Sequence, residues 1–203
     1  MRLFLAITLL VLLTCSPLVA AEIEPLFQRL EAAATNVRTV TSAFTQEKRL
    51  AIFDEVLTSS GRFAFAKPDQ LRWELLEPVK AGFVLSGDRG RRWHGRAGTS
   101  ESFDIRTDPM MRIVAEQLLA WARADFGWLR ERYQLEVLGE NPATLKLMPR
   151  TGGGFLDHLK IIFAADDTHV QQVEMHEQDG DATILRFSDA TINQPLPDET
   201  FRN

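Results

Sequence analysis

Four histidines (His94, His158, His169 and His176) and two acidic pairs (Glu74 with Glu77, Glu174 with Asp179) are the side chains best suited to metal or acid–base chemistry in this sequence. A zinc site needs three or four such ligands converging on one point. The histidines instead fall on separate predicted strands and turns, and the odd spacing of His169 and His176 puts them on opposite faces of an uninterrupted strand. Glycoside hydrolysis needs two carboxylates flanking the scissile bond, whereas acids on strand faces and turns are ordinarily solvated. The cluster Thr151-Gly152-Gly153-Gly154 precedes a predicted strand rather than a helix, so it lacks the helical N-terminal amides that cradle a phosphate and reads as a hairpin loop. No stretch fits GxGxxG, GxxxxGK[ST], HExxH or GxSxG. The sequence therefore predicts no enzyme, with no catalytic residue, no metal site and no cofactor.

What stands out is apolar. Phe63, Phe65, Leu71, Trp73, Leu75, Phe83, Leu85 and Trp93 recur within about thirty residues at strand alternation, and with Phe44 they are expected to line one continuous face. Such a face is either a closed core or a trough for an apolar ligand. The bulk of the rings favours the trough, as do Met110 and Met111 further on, whose flexible side chains suit a wall that adapts to varied contents. The aromatic inventory agrees. Thirteen Phe and four Trp stand against a single Tyr, so most ring surface lacks the hydroxyl that wets a recognition face.

These residues need elements to hold them. Leu26, Phe27, Leu30, Ala33 and Ala34 recur at helical spacing over residues 23–37, with Pro25 expected in the first turn. The period then changes to two, through Val40 to Glu47, the pairs around Phe63 and Trp73, and short runs at 82–85, 91–94 and 102–105. Pro109 opens a helical insert, read as one or two helices over 109–131 with a break at Gly127. Strands resume at 133–138, 144–148, 159–164, 170–176 and 183–189, joined by ordinary turn residues. The fold class predicted is mostly β (α+β): a curved antiparallel sheet forming an incomplete β-barrel around an apolar cavity, covered by an N-terminal helix and by a helical lid inserted mid-chain. A sheet this long with one dry face must curl over it or cap it.

The 203 residues are 45% hydrophobic and 25% charged, which fits one ordinary globular domain. Lys and Arg total 23 against 28 acids, a net of −5, so the positive field that holds a nucleic-acid backbone is missing and no nucleic acid is expected. Met1-Arg2, an apolar run from Leu3 to Leu13 and the small residues up to Ala21 read as a secretory signal peptide (residues 1–21), cleaved near Ala21 and leaving a domain over 22–203. Cys15, in Leu12-Leu13-Thr14-Cys15, offers a rival reading as a lipidation site, although Thr14 is bulky for that position. Cleavage after Ala21 leaves an exported chain without a thiol.

Taken together, these stretches resemble the periplasmic outer-membrane lipoprotein carriers of the LolA family. Ser42-Ala43-Phe44-Thr45-Gln46 is similar to the family's Phe-x-Gln strand. Residues 60–68 with Gln70-Leu71-Arg72-Trp73-Glu74 are similar to its Gly…Pro…Trp hairpin, and Pro78, the stretch 84–93, Asp108-Pro109-Met110-Met111, Thr183-Ile184-Leu185-Arg186-Phe187-Ser188, Asn193 and Phe201 follow in family order. The resemblance implies a non-enzymatic carrier, expected as a monomer, that takes acylated lipoprotein from an inner-membrane releasing complex to an outer-membrane acceptor. It puts Leu71 and Trp73 where the family has aromatic residues facing the cavity; joined to the alternation, it makes Phe44, Phe63, Phe65, Leu71, Trp73, Leu75, Phe83, Leu85 and Trp93 the expected acyl-chain cavity and Met110, Met111, Val114 and Leu118 the expected lid. Lys67 falls where many members carry an arginine that bonds the lid, which makes it the lid-locking candidate here. Lysine is a point donor and cannot reproduce a planar fork. That departure leaves open a carrier or sensor for another amphiphile, a glycolipid or acylated pigment, working with a lipid exporter; acylation of Cys15 would separately make the chain an outer-membrane-anchored receptor.

Overall fold

The computed structural model describes residues 18–53, 55–95, 98–151 and 154–202. The leader through residue 17, with Cys15, and Gly152 and Gly153 of the glycine cluster lie outside these. Helix α1 (Leu18–Thr35) is followed by strands β1 (Thr39–Arg49), β2 (Val56–Ala66), β3 (Gln70–Glu77), β4 (Ala81–Ser86), β5 (Arg89–His94) and β6 (Thr99–Asp104). Helices α2 (Pro109–Arg123) and α3 (Phe126–Arg132) come next. Then β7 (Tyr133–Glu140), β8 (Ala143–Pro149), β9 (Leu156–Phe163), β10 (Val170–Glu177) and β11 (Ala182–Ile192) lead to a terminal 3₁₀ turn (Asp198–Phe201).

All eleven strands form one antiparallel sheet in the order β6-β5-β4-β3-β2-β1-β11-β10-β9-β8-β7. The first and last strands pair at its centre, so the two halves of the chain zip together there. The edges are β6 and β7, and the helical insert is the segment that links them. The sheet is thus an open half-barrel, as the alternation predicted. Two boundaries differ from expectation. Helix α1 begins at Leu18 rather than near 23, so Pro25 lies inside the helix and not in its first turn. The insert breaks at Ala124-Asp125 rather than at Gly127. Ala124 takes a left-handed conformation (φ 50°) that ends α2, and the Asp125 carboxylate accepts from the Trp128 amide at 2.9 Å to start α3, leaving Gly127 inside its first turn.

Directly paired residues share a face, so the register identifies the dry side. One row runs Val40, Phe65, Leu71, Leu85 and Gly90. The next runs Ser42, Phe63, Trp73, Phe83 and Arg92, and the third Phe44, Gly61, Leu75 and Ala81. Beyond the central pairing, Leu185, Val173, Ile161, Leu145 and Val137 continue the same face to β7. The helices close over it: Leu26, Phe27 and Leu30 from α1, Ala115 and Leu119 from α2, and Phe126 and Leu129 from α3 are all buried, with Phe27 and Phe126 stacked at 4.6 Å. The 3₁₀ turn lies on the other side, where the Thr200 carbonyl accepts from Arg72 of β3 at 3.3 Å.

Candidate functional site

The site is the stretch of inner face under α2. Phe44, Phe63 and Trp73 converge with Phe187 of β11. Phe44 stacks on Trp73 at 4.1 Å, and Phe63 meets Trp73 at 6.2 Å and Phe187 at 5.9 Å. Phe63 and Phe187 sit on strands either side of β1 and reach each other because the inward residue between them is only Ser42. The β1–β11 ladder slips at this point: Thr41 pairs with Thr191 but Ala43 pairs with Ser188, so two β11 residues, Asp189 and Ala190, stand opposite the single Ser42, a bulge of one extra residue. Above the rings lie Leu118, Trp121 and Ala122 of α2, and between the layers is a largely apolar cavity of about 30 Å³. Trp73, Leu75, Phe187, Val114 and Leu118 are only partly buried, whereas Phe65, Leu71 and Leu85 are fully enclosed. Trp73 and Phe187 therefore form the less enclosed side of the ring cluster along the seam between sheet and helix, while Phe44, Phe63 and the next row belong to the closed core.

Most of the sequence-predicted apolar set is brought together here: Phe44, Phe63, Phe65, Leu71, Trp73, Leu75, Phe83 and Leu85 share the inner face. Trp93 does not join them. The tight turn at Gly87-Asp88 pairs Ser86 with Arg89, hence Phe83 with Arg92 and Gly82 with Trp93, which puts Trp93 on the outer face with the Arg72 guanidinium 5.1 Å from its ring centroid. Counting hydrophobics alone missed this parity. The two-residue turn carried the signal that fixes it. Of the lid residues, Met111 is buried and Val114 and Leu118 pack on the core, but Met110 points away and is 67% exposed. Phe187 and Trp121, absent from the predicted set, are central to the seam.

Lys67 does not bond α2. Its ammonium donates to the carbonyls of Ala34 (2.7 Å) and Thr35 (3.2 Å), capping the C-terminus of α1, where a cation suits the helix dipole. Burial and then the nearby Arg123 charge lower its pKa. The fork holding α2 comes from another residue. Arg92, inward-facing on β5, donates to Glu101 at 2.7 Å and to Asp108 at 2.9 Å, and the Asp108 carboxylate also accepts from the Met111 amide at 3.0 Å as the N-cap of α2. Farther along, the single tyrosine, Tyr133, donates through its hydroxyl to Gln117 of α2 at 2.7 Å. Burial raises its pKa, so it stays a donor at neutral pH.

The titratable candidates lie elsewhere. His158 and His176 stack at 4.4 Å across β9 and β10 on the outer face, flanked by Asp157 and Glu174. Burial would raise Glu174, but hydrogen bonds from Lys160, Gln172 and His176 together bring it below the usual carboxylate range. The carboxylate oxygens of Glu177, Asp179 and Asp181 gather within 4.8 Å at the β10–β11 turn, where Asp181 accepts from the Ala51 amide.

An open antiparallel sheet with a lidded apolar inner face defines a carrier-type half-barrel. The model of the family described as outer membrane lipoprotein carrier protein LolA matches residues 35–203, and the chain belongs to that family. An outer-membrane lipoprotein carrier protein of Halorhodospira halophila is 27% identical over 183 residues, spanning 86% of this chain and 79% of that one. Among solved structures, an uncharacterized conserved protein of Thermus thermophilus superposes with a TM-score of 0.57 at 10% identity, covering 90% of this chain and 93% of the other. The complex of Pseudomonas aeruginosa MucA and MucB gives 0.53 at 12% identity over 90% of this chain and 61% of that one, a likeness of fold. Carriers of the family are non-enzymatic and periplasmic, and lipoprotein is the cargo the family implies.

Proposed function

We propose that this chain carries the acyl chains of lipoproteins between the inner face of its sheet and α2, ferrying them across the periplasm from an inner-membrane releasing complex to an outer-membrane acceptor. The observation that carries this reading is the ring cluster of Phe44, Phe63, Trp73 and Phe187 beneath α2, in which Phe44 and Phe63 are buried, Trp73 and Phe187 stay partly exposed, and Phe63 and Phe187 line an apolar cavity under Leu118 and Trp121. Burying an acyl chain yields about 0.8 kcal/mol per methylene, so a cargo of two or three chains leaves a membrane only for a site of similar apolarity. The cavity of about 30 Å³ is far below the several hundred Å³ of a typical ligand pocket. This is the lid-down form, and α2 must lift for cargo to enter. Closed, the lid hides rings that would otherwise aggregate. With no nucleotide motif in the chain, the energy for loading comes from the donor complex and the pull for unloading from a tighter acceptor.

On this reading residues 1–21 are the export signal and 22–203 the working domain. Cleavage after Ala21 returns Pro25 to the first turn of α1, where its missing amide costs least. Mass spectrometry of protein purified from its native periplasm tests the proposal. Co-purifying acylated lipopeptide is expected, along with saturable uptake of a fluorescent fatty-acyl probe. Protein free of any amphiphile that also fails to take up the probe would overturn it.

A further inference from the structure

Four buried side-chain atoms among the described residues have no hydrogen-bond partner: Ser42 Oγ, Gln117 Nε2, Trp121 Nε1 and Arg123 Nε. Three of the four are on α2, and the fourth is on the strand beneath it. Ser42 and Trp121 are each 7% exposed, and both side chains line the 30 Å³ cavity. Every one of the four can donate, and Gln117 Nε2, Trp121 Nε1 and Arg123 Nε can only donate. Buried donors are rarely left unpaired, because the lost hydration is not recovered. The surplus is mostly of donors: Ser42 Oγ could accept as well, but in the closed arrangement it pairs with none of the three nitrogens. Ser42 is inward-facing, paired with Phe63 and opposite the bulge of Asp189 and Ala190, and it lines the cavity under the helix.

A pure hydrocarbon ligand would leave these donors as costly as before. An acyl chain in ester or amide linkage brings a carbonyl oxygen, a neutral acceptor at the head of an apolar tail. We infer that Ser42 and Trp121 form a carbonyl subsite, in which the hydroxyl and the indole N–H donate to the acyl carbonyl of the cargo while its chain lies along Phe63 and Phe187. The inference rests on the carrier reading and adds to it: the seam distinguishes acylated cargo from other apolar matter by its linkage. In the empty protein the same donors disfavour the closed lid, which eases loading.

Two fluorescent lipopeptides of equal chain length test it, one with ester-linked and one with ether-linked chains, titrated into the full mature protein. The ester probe is expected to bind about tenfold more tightly, the weight of roughly one neutral hydrogen bond. Ser42→Ala and Trp121→Phe are each expected to bring the ester-to-ether ratio toward one. Because Ser42→Ala also removes an unpaired buried hydroxyl, the ligand-free variant is expected to melt no lower than the parent, which separates loss of recognition from loss of folding. Equal affinity of the parent for the two probes would assign the donors to ordered water and overturn the subsite while leaving the carrier reading intact. Failure of both probes to bind would overturn the carrier reading and the subsite together.

Discussion

Phe44 stacks on Trp73 and passes close to Gly61, where a Cβ would collide with the Phe44 ring and with the Glu74 carbonyl. Glycine is required there by space, not by φ. Gly61→Ala should therefore displace Phe44, cost about 1–3 kcal/mol and weaken the near-ultraviolet signal of the stacked Trp73; an unchanged urea midpoint would contradict this packing. Lys67 and Trp93 show the complementary case, in which residue type was read correctly and neighbourhood was not. A cation at position 67 was visible in the sequence, but its partners, the last carbonyls of α1, are set by how α1 docks on β2. The inward guanidinium that grips α2 was Arg92, the immediate neighbour of the Trp93 assigned inward. A one-residue error in strand parity exchanges the two faces completely.

Among the elements, α2 covers the inner face through buried Met111, Ala115, Leu119 and Trp121, and polar contacts at Asp108 and Gln117 add to that packing. Asp108 serves it twice, as N-cap for Met111 and as ion-pair partner of the Arg92 side chain. Asp108→Ala should cost about 1–2 kcal/mol through the lost cap, and Asp108→Asn, which keeps an acceptor for the amide but drops the charge, less than about 1 kcal/mol because the pair is partly exposed. Amide hydrogen exchange is the appropriate check. In Asp108→Ala the first turns of α2 should exchange faster while β8, β9 and β10 stay protected, and uniform protection would show that the cap does not hold the helix. The strands themselves were legible, all eleven of them, because alternation of bulky and polar residues is a local signal. The break at Ala124 was not, because a left-handed non-glycine residue there leaves no compositional mark while Gly127 nearby does.

For the molecule as a whole, the pKa directions set how stability follows pH. Burial lowers the pKa of His169, against the charge of Asp166. The unfolded chain therefore takes up that proton first, and stability should begin to fall as pH drops through about 6.5, the ordinary histidine value. Asp104 is held at about 2 by its hydrogen bonds from Arg106, and Asp157, Asp166 and Glu174 are also lowered. Their contributions are complete above the ordinary carboxylate range and fade as pH falls below it toward their folded values. Urea midpoints measured from pH 8 to pH 2.5 should thus decline in two stages, with His169→Gln removing the first; a midpoint that rises from pH 7 to pH 5.5 would contradict the sign. The single tyrosine marks where sequence ends and tertiary structure begins. Its rarity pointed to a dry, ring-lined interior, yet only the fold reveals that Tyr133 is spent holding α2 through Gln117. Periodicity by itself determined the strands, the helical insert and the existence of one apolar face, since each depends on neighbours along the chain. Which rings form the seam, what grips the lid and where donors are left unpaired were decided by register, by the bulge opposite Ser42 and by the docking of α2, which join residues far apart in sequence and follow from the mutual fit of whole surfaces.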